Sequence, residues 1–314
     1  MLQVGRLLTL RGAYDQASGN WEEAAVIYFD GLRMGRHMSH QPTVAEALGG
    51  LEILRNNYYA LSHWAVSCPE PKMAGRAFGL LESVSDDMIA PARTMVGESS
   101  ILAQRLGGLL DAFPAGPWAE LILEDLGEEF PDGNADAVRK AAIAACESRG
   151  VPQDVFRTLP AFRKHVKKIR DVNVRFTEAA AACMSLPPTA RLKRGQEIYD
   201  DYAKLAGELG DDLAVNPNEL GRLFAIHDAE LMLARVTLAL CANRSEAGLP
   251  QSLDAVASGF GGQLPVSPYD GSPLVYQLSQ DAQSFTLGVP KVQTEYGSLP
   301  EITFESVTPI PVAE

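Results

Sequence analysis

Along most of the chain, apolar positions recur every three or four residues, the period of a helix with one buried face. The pattern predicts helices over 3–17, 21–38, 43–66, 72–84, 88–111, 117–128, 134–148, 152–184, 189–209 and 217–246. Three starts carry capping signals. Asn20 precedes "WEE", with Glu23 three residues on; Thr43 precedes "VAE" and forms a capping box with Glu46; Asn216 precedes Pro217 and Glu219, with proline at the first helical position. Pro and Gly clusters at "CPEP", "FPAGP", "FPDG", "LPP" and "AVNPN" separate the segments. The last helix is apolar on most sides. Phe224, Leu231 and Leu238 form one flank and Leu233, Val236 and Leu240 another, so it is expected to be the most buried long helix.

Near residue 246 the pattern changes. Gly, Pro, Ser and Val rise, and a period of two replaces the helical one. Leu274, Tyr276 and Leu278 alternate with Val275 and Gln277; Phe285, Leu287 and Val289 alternate with Thr286 and Gly288. With "SQDAQ" between them they predict an antiparallel hairpin. The proline-containing tail from 290 is expected to be extended, with a strand at "EITFESV" and a loosely held end. The predicted fold class is therefore mainly α: a multi-helix region over 1–215, then a small α+β domain over 216–314, one long helix plus a short antiparallel sheet.

Charge narrows the function. The chain of 314 residues has 27 basic and 40 acidic side chains, a formal charge of −13. A field of that sign repels phosphate backbones, so nucleic acid is excluded as a partner over any broad surface. No apolar run reaches the roughly 18 residues a membrane span needs. The start, "MLQVGRLLTLRGAYDQ", lacks the apolar core and cleavage site of a signal peptide and reads as mid-helix, which leads to the expectation that an export signal or anchor has been trimmed. Cys68, Cys146, Cys183 and Cys241 form no CxxC pair; the last three sit in helical runs as buried free thiols.

Candidate chemistry is sparse. His37 and His40, at i and i+3 in "RHMSH", could join Glu46 or another carboxylate around a metal, or stand as helix C-terminal histidines near the dipole. His227 lies on the Phe224–Leu231 stripe, where a buried, hydrogen-bonded histidine is the ordinary outcome and a catalytic base the sharper one. Phosphate-loop spacing, a GxSxG elbow and HExxH are all absent. In "FRKHVKKIRDVNVRF", Phe162, Val166, Ile169, Asn173 and Phe176 trace one face, while Arg163, Lys164, Lys167, Lys168 and Arg170 line the rest. That basic face could dock an acidic protein or an anionic membrane surface, or pair internally with the acidic stretch 120–136.

Two resemblances follow from these residues. "LLTLRGAYDQASGNWEEAAVIYFDGL" resembles one tetratricopeptide-type hairpin, with Gly12, Ala24 and Tyr28 near its small and aromatic positions; no second copy follows at that repeat's period. Residues 229–289 resemble the soluble part of type II secretion major pseudopilins through Gly248, Pro250, Ser252, Leu253, Leu264, Pro265, Pro268, Tyr269, Gly271, Pro273, Leu274 and Tyr276. Ser267 stands where that turn usually has Asp, and the prepilin start is missing. The resemblance implies a pseudopilin-like sheet closed onto the 217–246 helix. Pro265, Pro268 and Pro273 would shape the turn, Gly271 supply a positive φ, and Tyr269 and Tyr276 pack on the helix with hydroxyls reaching solvent or backbone. It also implies calcium in an acidic loop after the second strand. After Gly288, however, only Glu295, Glu301, Glu305 and Glu314 occur, so no metal or other cofactor is expected there. Asp270 and Asp281 are expected to cap their own turns.

The functional expectation is a non-catalytic envelope-associated or secreted protein that works through an unidentified protein partner, with peripheral membrane contact as a further option. The alternative is a helical metal- or acid/base-dependent enzyme using His37, His40 or His227.

Overall fold

A computed structural model describes residues 2–85, 88–112, 119, 135–148, 159–206 and 215–306. It is mainly helical with a small antiparallel sheet at the C-terminal end. The described helices are α1 (Leu2–Ala17), α2 (Trp21–Ser39), α3 (Val44–Ser67), α4 (Pro71–Ser85), α5 (Pro91–Ala112), α6 (Ala135–Ser148), α7 (Leu159–Cys183), α8 (Pro188–Ala206) and α9 (Pro217–Ala242). A 3-10 helix (Leu253–Phe260) precedes β1 (Val275–Leu278), β2 (Phe285–Val289), β3 (Val292–Thr294), β4 (Gly297–Leu299) and β5 (Ile302–Glu305). Apart from residue 119, the helix expected over 117–128 falls outside the described residues, as does the loose chain end.

Compactness divides the chain differently from the change of element type at 215. One unit joins residues 1–91, 187–192 and 221–314; the other holds 92–186 and 193–220. In the second unit α7 buries Val166, Ile169, Asn173 and Phe176, the face its periodicity predicts. The Asn173 amide donates to Ser99 Oγ at 2.9 Å, tying α7 to α5. The Phe176 and Tyr202 rings lie 4.4 Å apart, tying α7 to α8.

In the first unit α1, α2 and α3 approach closely where glycine removes bulk. A Cβ on Gly12 would fall 2.4 Å from the Tyr28 ring, and one on Gly50 would fall 2.4 Å from the Ser39 backbone nitrogen. Thr43 caps α3 as its sequence predicts: its hydroxyl oxygen accepts from the Glu46 amide at 3.1 Å. Asn216 likewise accepts from the Asn218 amide at 2.9 Å. Asn20 holds the N-cap position of α2, but its side chain makes no capping bond.

Helix α9 is the spine. Along Pro217–Ala242 only Glu219 and Arg222 are exposed. One continuous core joins Leu233, Val236, Leu240 and Cys241 to Leu54, Tyr58, Leu61 and Trp64 of α3, Leu81 of α4, and Phe285, Leu287 and Phe304 of the sheet. Ion pairs cross the same contacts. Arg55 meets Glu230 at 2.5 Å, and Arg235 forks onto both Glu82 oxygens. The helix ends at Ala242, not at the expected 246. Just past that end, Ser245 and Gly248 exchange backbone hydrogen bonds of 3.0 Å, and the Arg244 guanidinium donates to the carbonyls of Val66 and Cys68 at the end of α3, where the helix dipole favours a cation.

The sheet has the expected antiparallel hairpin, with Tyr276 opposite Leu287 and Leu278 opposite Phe285. β5 adds to β2, Leu287 facing Phe304. β3 and β4 form a separate small hairpin that the tail's composition did not predict. In the turn before β1, Gly271 has φ 77°. Ser267 accepts from the Tyr269 amide at 3.2 Å, and Asp270 from the Ser272 amide at 3.0 Å. Asp281 accepts from the Gln283 amide at 3.1 Å in the next turn. Tyr276 donates to the Pro250 carbonyl at 2.7 Å, a backbone partner as anticipated. Tyr269 departs from expectation, because its hydroxyl is buried with no hydrogen-bond partner among the described residues.

Candidate functional site

Two places in the first unit bring chemistry together, and they differ in access. The first is a buried polar cluster between α3 and α9. His227 is 2% exposed; its Nε2 lies 3.1 Å from the Tyr58 hydroxyl and its Nδ1 3.3 Å from Asp228 Oδ1. Four residues from Tyr58's neighbourhood complete it: Arg55, Glu230, Asp228 and the hydroxyl of Tyr269, which feels the charges of all three. Burial pushes the Tyr58 phenol well above its ordinary range, with Asp228 and Glu230 adding to the shift. This set could in principle move a proton. The crevice beside it, lined by Tyr58, Tyr59, Glu230 and Phe304, measures about 10 Å³. That is at the limit for one water, so this crevice admits no substrate to His227, although Asp228 and Arg55 at the cluster's edge are partly exposed.

The cluster is expected to make stability depend on pH. Burial raises the Glu230 carboxyl above its ordinary 4.5, and the Arg55 charge and hydrogen bond pull it part of the way back. A carboxyl raised in this way holds its proton more tightly in the folded chain. Its contribution is full below pH 4.5 and is lost as pH rises through the folded value. Denaturant melts from about pH 4 to about pH 8 should show that loss, and Glu230→Gln should flatten it. Arg55→Leu should carry the loss to higher pH. Superimposable pH profiles for wild type and Glu230→Gln would refute the assignment.

The second place is an open groove of about 320 Å³ between α2 and α4. Each helix presents an apolar stripe at i, i+4, i+7 and i+11 or close to it: Ala25, Phe29 and Leu32 on α2, and Met73, Ala77, Leu80 and Val84 on α4. Trp64 of α3 lines one end, where its indole donates to the Trp21 carbonyl at 2.9 Å. Met88 lines the other end, where its carbonyl accepts from the Ser39 hydroxyl at 2.7 Å. These two bonds orient the groove. The Trp64 end also holds Glu22 at the start of α2; the Met88 end holds Arg36 near its finish. Val26 and Leu80, about half exposed, form apolar rims, and Arg33 and Arg76 add charge to them.

The residues singled out by sequence are dispersed. His37 is exposed near the end of α2, with the Gln41 amide donating to its carbonyl at 3.1 Å. His40 is the C-cap: its backbone N–H donates to the Arg36 carbonyl at 3.1 Å, and the Gln41 N–H to the Met38 carbonyl at 3.0 Å. Among the described residues no three His, Cys, Asp or Glu side chains are grouped to hold a metal. Arg163, Lys164, Lys167, Lys168 and Arg170 are all exposed on α7, around an open, shallow surface that includes Lys164, Lys167, Lys168 and Arg175. Their proposed acidic partner, 120–136, lies almost wholly outside the described residues. Cys68, Cys146, Cys183 and Cys241 are buried free thiols, and burial pushes Cys241 up to about 12.

Sequence reasoning passed over the groove. Its stripes are visible at helical spacing, but periodicity marks a face as apolar without saying whether another element covers it. No family model matches the chain, and no curated protein or solved structure matches it. The likenesses to pseudopilins and to a tetratricopeptide-type hairpin thus rest on the residues quoted for them.

Proposed function

We propose that this chain is a non-catalytic protein, envelope-associated or secreted, that acts through contact with another protein. The observation that carries the reading is the α2–α4 groove: an apolar surface open to solvent, with half-exposed Val26 and Leu80 on its rims. Open apolar surface of this kind is where protein contacts form. The envelope setting rests on the pseudopilin-like reading of 216–314. It is supported by the left-handed Gly271 and by the Tyr276 bond that closes the turn onto Pro250. The tetratricopeptide-like reading of the first hairpin is supported by the packing of Gly12 on Tyr28. The enzyme reading has less support, because His227 is sealed in the core while His37 and His40 lie at the end of α2.

A photocrosslinking side chain at Leu80, in the protein produced in its native cell, should give a discrete adduct with another protein. Val26→Glu should abolish that adduct, and the same probe at Lys167 should give none. Adducts from Lys167 alone would move the contact to the basic face of α7. No adduct at either position would remove the interaction reading.

A further inference from the structure

We propose that the basic face of α7 seats this protein against an anionic bilayer surface. The inference is independent of the α2–α4 groove, because α7 belongs to the other unit. On one side of α7, Val166, Ile169 and Phe176 are buried, so that side is already committed to the unit's own core. The opposite side is cationic. Lys164, Lys168 and Arg175 stand four and seven positions apart and form a row roughly 16 Å long at the helical rise. Lys167, Arg163 and Arg170 flank the row, and all six cations are exposed. The carboxylates of α7 are Asp171 and Glu178, and Asp171 lies 3.7 Å from Arg170. Among the described residues no carboxylate lies within ion-pair distance of Arg163, Lys164, Lys167, Lys168 or Arg175.

The make-up of the face selects its partner. A strong contact with a protein needs a desolvated apolar centre. Among the described residues, the open hollow around Lys164, Lys167, Lys168, Asp171 and Arg175 has Val172 as its one apolar member. Val174, about half exposed to one side, adds a single short side chain. A bilayer rich in anionic lipid asks for no such centre. It presents a continuous sheet of charge, and each Lys or Arg brought near it adds its own share of attraction. The chain's −13 does not cancel this. Salt screens exposed charges beyond about 8 Å, so a bilayer against α7 meets the local cations and little of the acidic remainder. With the apolar side of α7 buried in its own unit, nothing on the helix inserts, and the contact is superficial, reversible and governed by salt.

Flotation of the full chain with lipid vesicles tests this. It should bind vesicles of mixed phosphatidylserine and phosphatidylcholine, not phosphatidylcholine alone, and binding should fall with added salt. Losing one cation should weaken binding about fivefold, so Lys164→Gln with Lys168→Gln should cost about 25-fold. Lys72→Gln with Lys291→Gln removes the same charge from exposed positions elsewhere and should change binding by less than about twofold. All four side chains are exposed, so the circular dichroism melts should match that of wild type. Equal losses in the two double variants would show that net charge and not this face governs binding, and would overturn the proposal. So would failure to bind the phosphatidylserine vesicles, the result expected if the chain's own acidic stretch 120–136 occupies the face. Binding of polyglutamate that depends on Lys164 and Lys168, with no vesicle binding, would assign the face to an acidic protein instead.

Discussion

Leu240→Ala is expected to cost about 2–5 kcal/mol in a denaturant melt, and Leu233→Ala a similar amount. Leu240 is fully buried and Leu233 is 4% exposed. Both belong to the core that joins α9 to α3, α4 and the sheet. Removing three carbons from either leaves a void walled by elements that already grip one another through Arg55–Glu230 and Arg235–Glu82, so the walls cannot close on it. The cost then includes the cavity as well as the lost burial. A change below about half a kilocalorie at both sites would show that α9 is not the shared spine.

Gly50→Ala should be as damaging for a different reason. The added Cβ would lie 2.4 Å from the Ser39 nitrogen, 2.7 Å from the Gly35 carbonyl oxygen and 2.8 Å from the Ser39 Cα. All three are backbone atoms, so no side chain can turn aside and the end of α2 must move. That shift would pull Ser39, fully buried, away from the Met88 carbonyl its hydroxyl serves. The expected loss is about 3 kcal/mol or more, at the upper end for overpacking. Gly79→Ala is the control. Gly79 is exposed on α4 with nothing near its Cβ position, so alanine should stabilise by up to about 1 kcal/mol through helix propensity. Equal melts for Gly50→Ala and Gly79→Ala would refute the close approach of α2 and α3.

The two substitutions separate what sequence could and could not convey. Local rules placed the helices, because the caps at Thr43 and Asn216 and the apolar stripes act over a few residues. The same holds for the alternation that put Phe285, Leu287 and Val289 on one buried face. Features set by distant partners escaped. The Arg244 bonds that follow α9 reach carbonyls at the end of α3. Ala282 takes φ 55° in the turn between β1 and β2, where its carbonyl accepts from the Leu249 amide at 2.9 Å; an alanine carries no sign of that conformation. β3 and β4 are three residues each, too short for alternation to register, although Gly297 at φ 138° marks their turn. The groove escaped because periodicity marks a stripe as apolar without showing how much of it other elements cover. The burial of the Tyr269 hydroxyl without a partner among the described residues likewise could not be read from the residue itself.

The first unit is built from both ends of the chain, residues 1–91 and 221–314, with only 187–192 from between. That arrangement sets an order of events during synthesis. α3 and α4 leave the ribosome while α9, which covers Tyr58, Leu61, Trp64 and Leu81, is still unmade. At about 5–20 residues per second the wait is on the order of ten seconds. Through that interval the early helices carry apolar faces with no partner, the surface that chaperones recognise and that aggregates when they are absent. The unit can close only after β5 has emerged and its Phe304 has reached the core. A nascent chain halted before α9 should therefore be protease-sensitive and held by chaperones, however well its first three helices form.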